Sequence, residues 1–163
     1  MTGALSLSTR EALRRLAKAV VVITTSHGGI RYAMAATAVN ELSMDPPSML
    51  ACVNRTASIH APLRAGGDFC INILDCEQAD VAQACGGLKK GEERFSLGEW
   101  GEAEGVPFLA NAQANIFCIN DMHFSYGSHD VFVGRVSAVT LHGAVDPLIY
   151  VDGRYTKALM EAV

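Results

Sequence analysis

Charged residues and long apolar stretches are both scarce in this sequence. Asp, Glu, Lys and Arg make up 18% of its 163 residues, and the formal net charge is -4. Nucleic-acid binding needs a basic face that displaces counterions, so no nucleic-acid partner is expected. Apolar runs such as residues 19–23 are far shorter than the roughly 18 residues of a membrane span, so no membrane partner is expected either.

The N-terminal segment combines Arg, Ser and amphipathic spacing, which is weakly typical of an organelle presequence. Ser8 and Glu11 form instead the S-x-x-E pattern of a capping box, which favours an ordinary first helix. A cytoplasmic protein is therefore expected.

Cysteine pairs with a recognisable spacing are missing. The five cysteines are odd in number and show no C-x-x-C pattern, so neither a disulfide framework nor a zinc site is indicated. Cys52 and Cys70 fall in apolar, strand-like runs, where a reduced thiol packs as a small core residue. A reactive thiol stays open as an alternative. The five are Cys52, Cys70, Cys76, Cys85 and Cys118.

Common catalytic and nucleotide-binding motifs are absent as well. The sequence has no G-x-G-x-x-G after a strand, no G-x-x-x-x-G-K-[ST], no H-E-x-x-H and no G-x-S-x-G. His123 and His129 lack the carboxylate or third histidine that would complete a metal site, so no metal is expected. Any nucleotide has to bind without a glycine-rich phosphate loop.

Apolar residues, in contrast, are plentiful. They make up half of the sequence, which excludes a disordered chain. The length is that of one domain, and we expect a single domain over residues 1–163. Such an apolar surplus predicts a surface that is covered in a subunit interface or around a ligand.

Strand patterns outnumber helix patterns. Short helices are predicted from Ser8 onward, over 57–65 and over 77–85, and residues 86–107 are predicted to be a long loop that contains Trp100. Because helices do not alternate regularly with strands, we expect a mainly β fold, an antiparallel barrel with short peripheral helices. The predicted strands are 19–25, 30–42, 48–54, 69–74, 115–119, 131–141 and 148–151.

Three segments place hydroxyls, amides and glycine where strands end: residues 36–47, 52–58 and 126–131. In the second segment Arg55 stands just before a predicted short helix, whose start offers free N–H groups to an anion, and its guanidinium suits a phosphate. Each segment also has a plain explanation as a turn or a helix cap. The residues alone leave ligand binding and a structural role equally open.

Together and in this order, these segments resemble the short-chain flavin reductases, the small partners of two-component flavin monooxygenases such as 4-hydroxyphenylacetate hydroxylase. The resemblance covers nearly the whole chain. It is carried by AVVVITT, ATAV followed by S-x-DPP, SMLACVNRTAS, FCINIL followed by Glu-Gln, ERFS with Trp100, YGSHDVFVGRV and PLIYVDGRY.

The resemblance implies an FMN-binding split β-barrel that forms a homodimer with flavin at the subunit interface. It also implies reduction of FMN or FAD by NADH or NADPH, with release of the reduced flavin to a separate monooxygenase.

Site residues follow from the same resemblance. The isoalloxazine ring and ribityl chain would lie against Thr37, Ala38, Val39 and Asn40. The flavin phosphates would meet Asn54, Arg55 and Ser58, with Lys89 and Arg94 approaching from the following loop. His129 would face the nicotinamide as the catalytic residue, and Arg154 and Tyr155 would close that side.

Two positions depart from the family pattern. Glu41 stands at the cofactor site where the family commonly has serine, and Ala35 stands where it has threonine. A carboxylate at position 41 would repel a phosphate unless it points outward or pairs with Arg55. Glu41 keeps open an alternative function, a non-catalytic flavin- or haem-binding module on the same barrel. A cysteine-based redox enzyme is a third hypothesis.

Overall fold

A computed structural model describes residues 2–159 and residue 161. The helices are α1 (Thr2–Leu13), α2 (His60–Arg64) and α3 (Ala79–Gln83); a π-helical turn (Ala84–Leu88) and a 3₁₀ helix (Gly91–Phe95) follow α3. The strands are β1 (Lys18–Ala19), β2 (Val21–His27), β3 (Ile30–Ala36), β4 (Val39–Met44), β5 (Pro47–Asn54), β6 (Phe69–Ile73), β7 (Trp100–Ala103), β8 (Val106–Leu109), β9 (Ala114–Tyr126), β10 (His129–Leu141), β11 (Leu148–Val151) and β12 (Arg154–Lys157).

Seven strands form one sheet in the order β3-β2-β6-β9-β10-β5-β4, and every neighbouring pair is antiparallel. Its two edge strands, β3 and β4, are consecutive in the chain and are joined by Thr37 and Ala38 alone. A sheet whose edges are linked by two residues has to curl until they meet, which makes a barrel with a slit between β3 and β4. The antiparallel barrel expected from the sequence is confirmed.

Strand β2 runs through the middle of the core. Its residues Val21 and Ile23 pack inside the barrel against Phe69 and Phe132, whereas Val22 faces the other way, in a cluster with Leu109. Burial on both faces explains why this strand reads as a continuous apolar run without alternation.

The predicted loop at 86–107 is wrong, because much of this segment is ordered as the 3₁₀ helix and the β7–β8 hairpin. The hairpin is fixed from the sheet: Asn72 Oδ1 accepts the Leu109 N–H at 2.8 Å, and Thr24 Oγ1 donates to the Pro107 carbonyl at 2.5 Å. Trp100 stacks edge-to-face on Phe95, with ring centroids 4.9 Å apart. Tertiary partners thus order a stretch whose local sequence is polar and glycine-rich.

The first helix begins earlier than predicted. Ser8 lies inside α1, where its hydroxyl donates to the Ala4 carbonyl at 3.1 Å, so it is not a cap. The helix side chains from residue 3 onward are exposed. Arg14, just past the helix, is bonded to Asp152 at 2.9 Å, which ties this segment to the turn between β11 and β12. Within the described residues, no helix has both the length and the apolar character needed to cross a bilayer.

Other element limits differ modestly. The predicted strand 30–42 is two strands, β3 and β4, because the chain breaks at Thr37 and Ala38, and β12 was not predicted. The predicted helix at 57–65 is shortened to α2, and the predicted strand at 115–119 is extended to β9.

Candidate functional site

A cleft of about 510 Å³ opens beside the link between β3 and β4. Its floor is apolar and includes Ile71 and Ile73 of β6 and Met49 of β5. All five predicted residues of the first segment line it, namely Thr37, Ala38, Val39, Asn40 and Glu41. The Cys52 N–H donates to the Ala38 carbonyl at 2.9 Å and so holds this segment against β5. An apolar floor with a polar rim suits a flat, heteroatom-rich ring.

Two further clefts meet the first at Thr37. One of about 540 Å³ lies between α1 and the β11–β12 hairpin, and it shares Leu16 and Lys18 with the first cleft. The other, of about 190 Å³, is lined by Ala35, Gly86 and Tyr155 among others. Thr37 therefore stands where the three spaces join.

Tyr155 lies half-buried in the smallest cleft, with its ring centroid 5.3 Å from that of Tyr150. Burial raises the pKa of Tyr155 above its ordinary value, so its hydroxyl stays protonated at neutral pH. Its neighbour Arg154 is exposed and lines none of the three clefts. The structure thus places Tyr155, but not Arg154, against this space.

A polar cluster brings together three other predicted residues. Arg94 Nη1 donates to Ser58 Oγ at 3.1 Å and to the Ala33 carbonyl at 2.6 Å, and its Nε donates to the Lys89 carbonyl at 3.1 Å. The 3₁₀ helix that carries Arg94 is fastened to β3 by Arg31, which pairs with Glu92 and stacks over the Phe95 ring at 4.1 Å. Ser58, Arg94 and the backbone carbonyl of Lys89 form one polar group beside β3.

The chain after β5 holds the next two predicted residues. Asn54 Oδ1 accepts the N–H and the hydroxyl of Thr56, both at 2.9 Å, which fixes the turn that follows β5. Arg55 is directed elsewhere: its Nε donates to Asp130 Oδ1 at 3.2 Å and its Nη2 donates to the Gly127 carbonyl at 2.8 Å. Its contact with a flavin phosphate stays a prediction.

His129 opens β10 opposite Asn54. It is exposed, and its Nδ1 shares a hydrogen bond with Ser128 Oγ at 2.9 Å. Val131, two residues further on, pairs with Cys52, which lines the first cleft. His129 therefore stands about 7 Å along the strand from a cleft-lining position.

Sequence reasoning missed the group around Asp130. This carboxylate is fully buried and accepts hydrogen bonds from Ser125 (2.7 Å), His60 (2.8 Å), Arg64 (2.9 Å) and Arg55 (3.2 Å). The Ser125 bond, with those of His60 and Arg64, holds the pKa of Asp130 well below its usual range despite burial. The sequence did offer a signal for this group, because Asp130 is a carboxylate at an inward position of the otherwise apolar strand β10.

Glu41 is exposed at the rim of the first cleft, and it makes no ion pair within the described part of the chain. Pairing with Arg55, which would have neutralised it, is wrong because Arg55 pairs with Asp130.

The buried cysteines are poor nucleophiles. Burial raises the pKa of Cys85 to about 11 and of Cys118 to about 12, and it raises that of Cys70 further. Bonding to Asp146 raises the pKa of Cys76 to about 12. Across residues 2–159, no three side chains of the metal-binding types come together.

The sequence of this chain is similar to those of a known protein family. The model of the flavin reductase like domain matches residues 13–159. The FMN reductase (NADH) RutF of Methylorubrum populi is 41% identical over 147 residues, which cover 90% of this chain and 73% of that protein. The reductase component of the FADH(2)-dependent resorcinol hydroxylase of a Rhizobium species is 36% identical over 152 residues, covering 91% and 85%.

Among solved structures, nitrilotriacetate monooxygenase component B from Mycobacterium thermoresistibile superposes with a TM-score of 0.90 at 26% identity, covering 98% of this chain and 89% of that one. The match over residues 13–159 includes the slit, the cleft beside it and the Arg94–Ser58 cluster. The chain therefore belongs to the flavin reductase like domain family.

Proposed function

We propose that this chain reduces FMN or FAD with NADH or NADPH and passes the reduced flavin to a separate monooxygenase. The observation that carries the proposal is the apolar-floored cleft lined by Thr37–Glu41. The names of the relatives support it, since one is an NADH-dependent FMN reductase and another is the reductase component of a hydroxylase. We further propose a single cytoplasmic domain over residues 1–163.

The residues present fit a flavin. The floor of Met49, Ile71 and Ile73 offers flat apolar surface to a ring system, while Asn40 and the Thr37 hydroxyl stand at its edge to bond ring heteroatoms. The ribityl phosphate would reach the cluster of Ser58, Lys89 and Arg94, where a guanidinium and a hydroxyl are already adjacent.

When bound, the flavin supplies the redox chemistry by accepting two electrons from the reduced nicotinamide. The chain has to hold the two rings face to face at reacting distance. His129 orients the nicotinamide by a hydrogen bond, and Tyr155, with a protonated hydroxyl, closes the side of the site near Thr37. Arg154, exposed on β12, would contact the nicotinamide from that side.

The decisive experiment crosses NADH and NADPH with FMN, FAD and riboflavin in a spectrophotometric assay of nicotinamide oxidation. Turnover with at least one pair is expected, and a partner monooxygenase supplied in excess should consume the product. If flavin binds but no pair turns over, the proposal fails.

Glu41 favours a second candidate, a non-catalytic module that binds flavin or haem in the same barrel. Its uncompensated carboxylate at the rim would disfavour an anionic ligand there. Glu41→Ser distinguishes the two candidates. A reductase gains FMN affinity and keeps turning over, whereas a module gains affinity with no turnover in either form.

We also propose that the protein is a homodimer. One face of β9 exposes Met122, Phe124 and Tyr126, which are 55%, 51% and 83% accessible. The edge strand β4, separated from β9 by β10 and β5, exposes Leu42 and Met44. An apolar stripe of this kind needs cover in water. Light scattering on a size-exclusion column should give twice the chain mass, and Phe124→Asp should give the monomer. A monomeric wild type would contradict the proposal.

A further inference from the structure

The turn that precedes His129 is contacted by Arg55, which follows the adjacent strand β5. Gly127 and Ser128 form the turn between β9 and β10, and His129 follows directly. Arg55 makes two hydrogen bonds to this turn: its Nη2 donates to the Gly127 carbonyl at 2.8 Å, and its backbone N–H donates to the Ser128 carbonyl at 3.1 Å. The position of His129 therefore depends on where Arg55 is held.

Arg55 is held in turn by Asp130. The carboxylate is fully buried, and Oδ1 accepts the Arg55 Nε–H and the Ser125 hydroxyl while Oδ2 accepts His60 and Arg64. A buried carboxylate needs such donors, and a planar guanidinium bonded along one edge has a fixed orientation. Asp130 thus fixes the plane of Arg55, and Arg55 fixes the turn.

The same geometry bears on the phosphate role expected for Arg55. Side-on recognition of a phosphate uses the edge formed by Nε and Nη2, and here both atoms donate to protein oxygens. Arg94 also donates Nε and Nη1 to protein oxygens, those of Lys89, Ala33 and Ser58, but its Nη2 makes no hydrogen bond within residues 2–159.

We propose that Arg55, anchored by the buried carboxylate of Asp130, is a positioning residue that sets His129 for the nicotinamide and is not a ligand of the flavin phosphate. This inference rests on the proposed function, because it assigns His129 to the nicotinamide. The chemistry of the reaction is unchanged, and only the placement of one side chain is attributed to Arg55.

Arg64 provides the matched control. Arg55→Ala and Arg64→Ala each remove one cation from Asp130, and both side chains are about half exposed, at 47% and 54%. Of these two arginines, only Arg55 also contacts the Gly127–Ser128 turn. Within residues 2–159 the Arg64 side chain bonds Asp130 alone. Loss of charge compensation affects both variants, whereas loss of positioning affects only the first.

The kinetic and binding experiments use both variants and wild type. Arg55→Ala should raise the KM for NADH about tenfold, with a smaller change in kcat, because a misplaced orienting group loses alignment. Its Kd values for FMN and for riboflavin, measured by flavin fluorescence without nicotinamide, should stay within about twofold of wild type. Arg64→Ala should leave the KM for NADH within about twofold. In the His129→Ala background, Arg55→Ala should add no further change in KM.

A further measurement tests the position of the turn in the absence of substrate. Amide hydrogen exchange at Ser128 and His129 should accelerate in Arg55→Ala and not in Arg64→Ala. Arg55→Lys keeps the positive charge but lacks the planar guanidinium, and it serves as a second variant in case Arg55→Ala does not fold. Its amide exchange rates and its KM for NADH should resemble those of Arg55→Ala.

Three results would overturn the inference. The first is a loss of FMN affinity in Arg55→Ala with riboflavin affinity retained, which would make Arg55 a phosphate ligand. The second is equal behaviour of Arg55→Ala and Arg64→Ala. The third is wild-type-like KM and exchange in Arg55→Ala while the wild type turns over normally. A wild type that oxidises no nicotinamide would instead overturn the proposed function itself.

Discussion

Arg94 and Ser58 are separated by 36 residues in the chain, yet Arg94 Nη1 lies 3.1 Å from Ser58 Oγ. This bond joins two segments that the sequence assigned separately to the flavin phosphate. The guanidinium also bonds the Ala33 carbonyl of β3, so the cluster is braced against the edge of the slit. A preformed cation and hydroxyl at one point provide an anion site that needs little rearrangement.

Arg94→Ala should therefore weaken FMN binding more than riboflavin binding. A hydrogen bond to a charged group contributes about 1.5–3 kcal/mol, so the Kd for FMN should rise about tenfold or more. Fluorescence titration of the flavin-free protein measures both Kd values. Arg31→Ala is the control, because it loosens the same 3₁₀ helix through Glu92 without removing a group from the cluster. Equal losses for FMN and riboflavin would contradict the phosphate role.

His129→Ala should impair the use of NADH while sparing flavin binding. The side chain is exposed at the start of β10 and has Ser128 as its hydrogen-bond neighbour, so its removal leaves the core intact. We expect an increase of about tenfold in the KM for NADH, measured by steady-state kinetics. His123→Ala, which removes a ring packed 5.5 Å from Phe132, serves as the control for a general effect on the sheet. Unchanged kcat and KM would show that His129 has no such role.

Cys52→Ala should keep the reductase activity. Cys52 lines the cleft and, among the residues that the structure describes, is the one thiol placed to meet a ligand there. Hydride transfer between two cofactors needs no protein nucleophile, so kcat should stay within about twofold of wild type. Assays of nicotinamide oxidation before and after the substitution decide the point. Abolished turnover in a folded variant would revive the cysteine-based redox mechanism.

Asp130 should make the protein sensitive to acid. Its pKa is depressed in the folded state, so its contribution to stability is present above the unfolded pKa of about 3.9 and is lost as the pH falls toward the folded value. Asp130→Asn lacks this titration. Urea unfolding should show the variant less stable than wild type at neutral pH, with the difference shrinking below about pH 4. A difference that does not vary with pH would contradict the linkage.

Gly134→Ala should destabilise the barrel. A β-carbon at position 134 of β10 would clash with the Phe69 ring and would lie 2.6 Å from the Cys118 Cβ. Overpacking of this kind costs about 1–3 kcal/mol in the free energy of unfolding, which chemical denaturation measures. Gly3→Ala is the control, because an added methyl there meets nothing within 4 Å. Equal stability of the two variants would mean that the sheet relaxes around the added carbon.

Local patterns predicted the barrel well where local chemistry decides the structure. The run predicted as a strand at 19–25 became β1 and β2, and the strand predicted at 48–54 became β5. The helix start failed at Ser8, because a serine hydroxyl can bond the carbonyl four residues back as readily as it caps.

The rest depends on partners that are distant in the sequence. The β7–β8 hairpin is fixed by Asn72, which lies 37 positions before Leu109. Asp130 accepts hydrogen bonds from His60, Arg64 and Arg55, which lie 70, 66 and 75 positions away in the sequence. The ordered motifs pointed to the family and to Thr37–Glu41. The orientation of Arg55 could not be read from its sequence neighbours, because a buried carboxylate on the adjacent strand β10, 75 positions later in the chain, determines it.

Thr37 and Ala38 are at once the linker between the edge strands and the border of the cleft. A ligand in that cleft would contact β4 and β5 on one side and β2 and β6 on the other, and so would bridge the seam of the sheet. Occupancy and melting temperature should therefore rise together, by the mass-action relation between free ligand and Kd. A thermal melt alone can then rank candidate ligands, with no turnover needed.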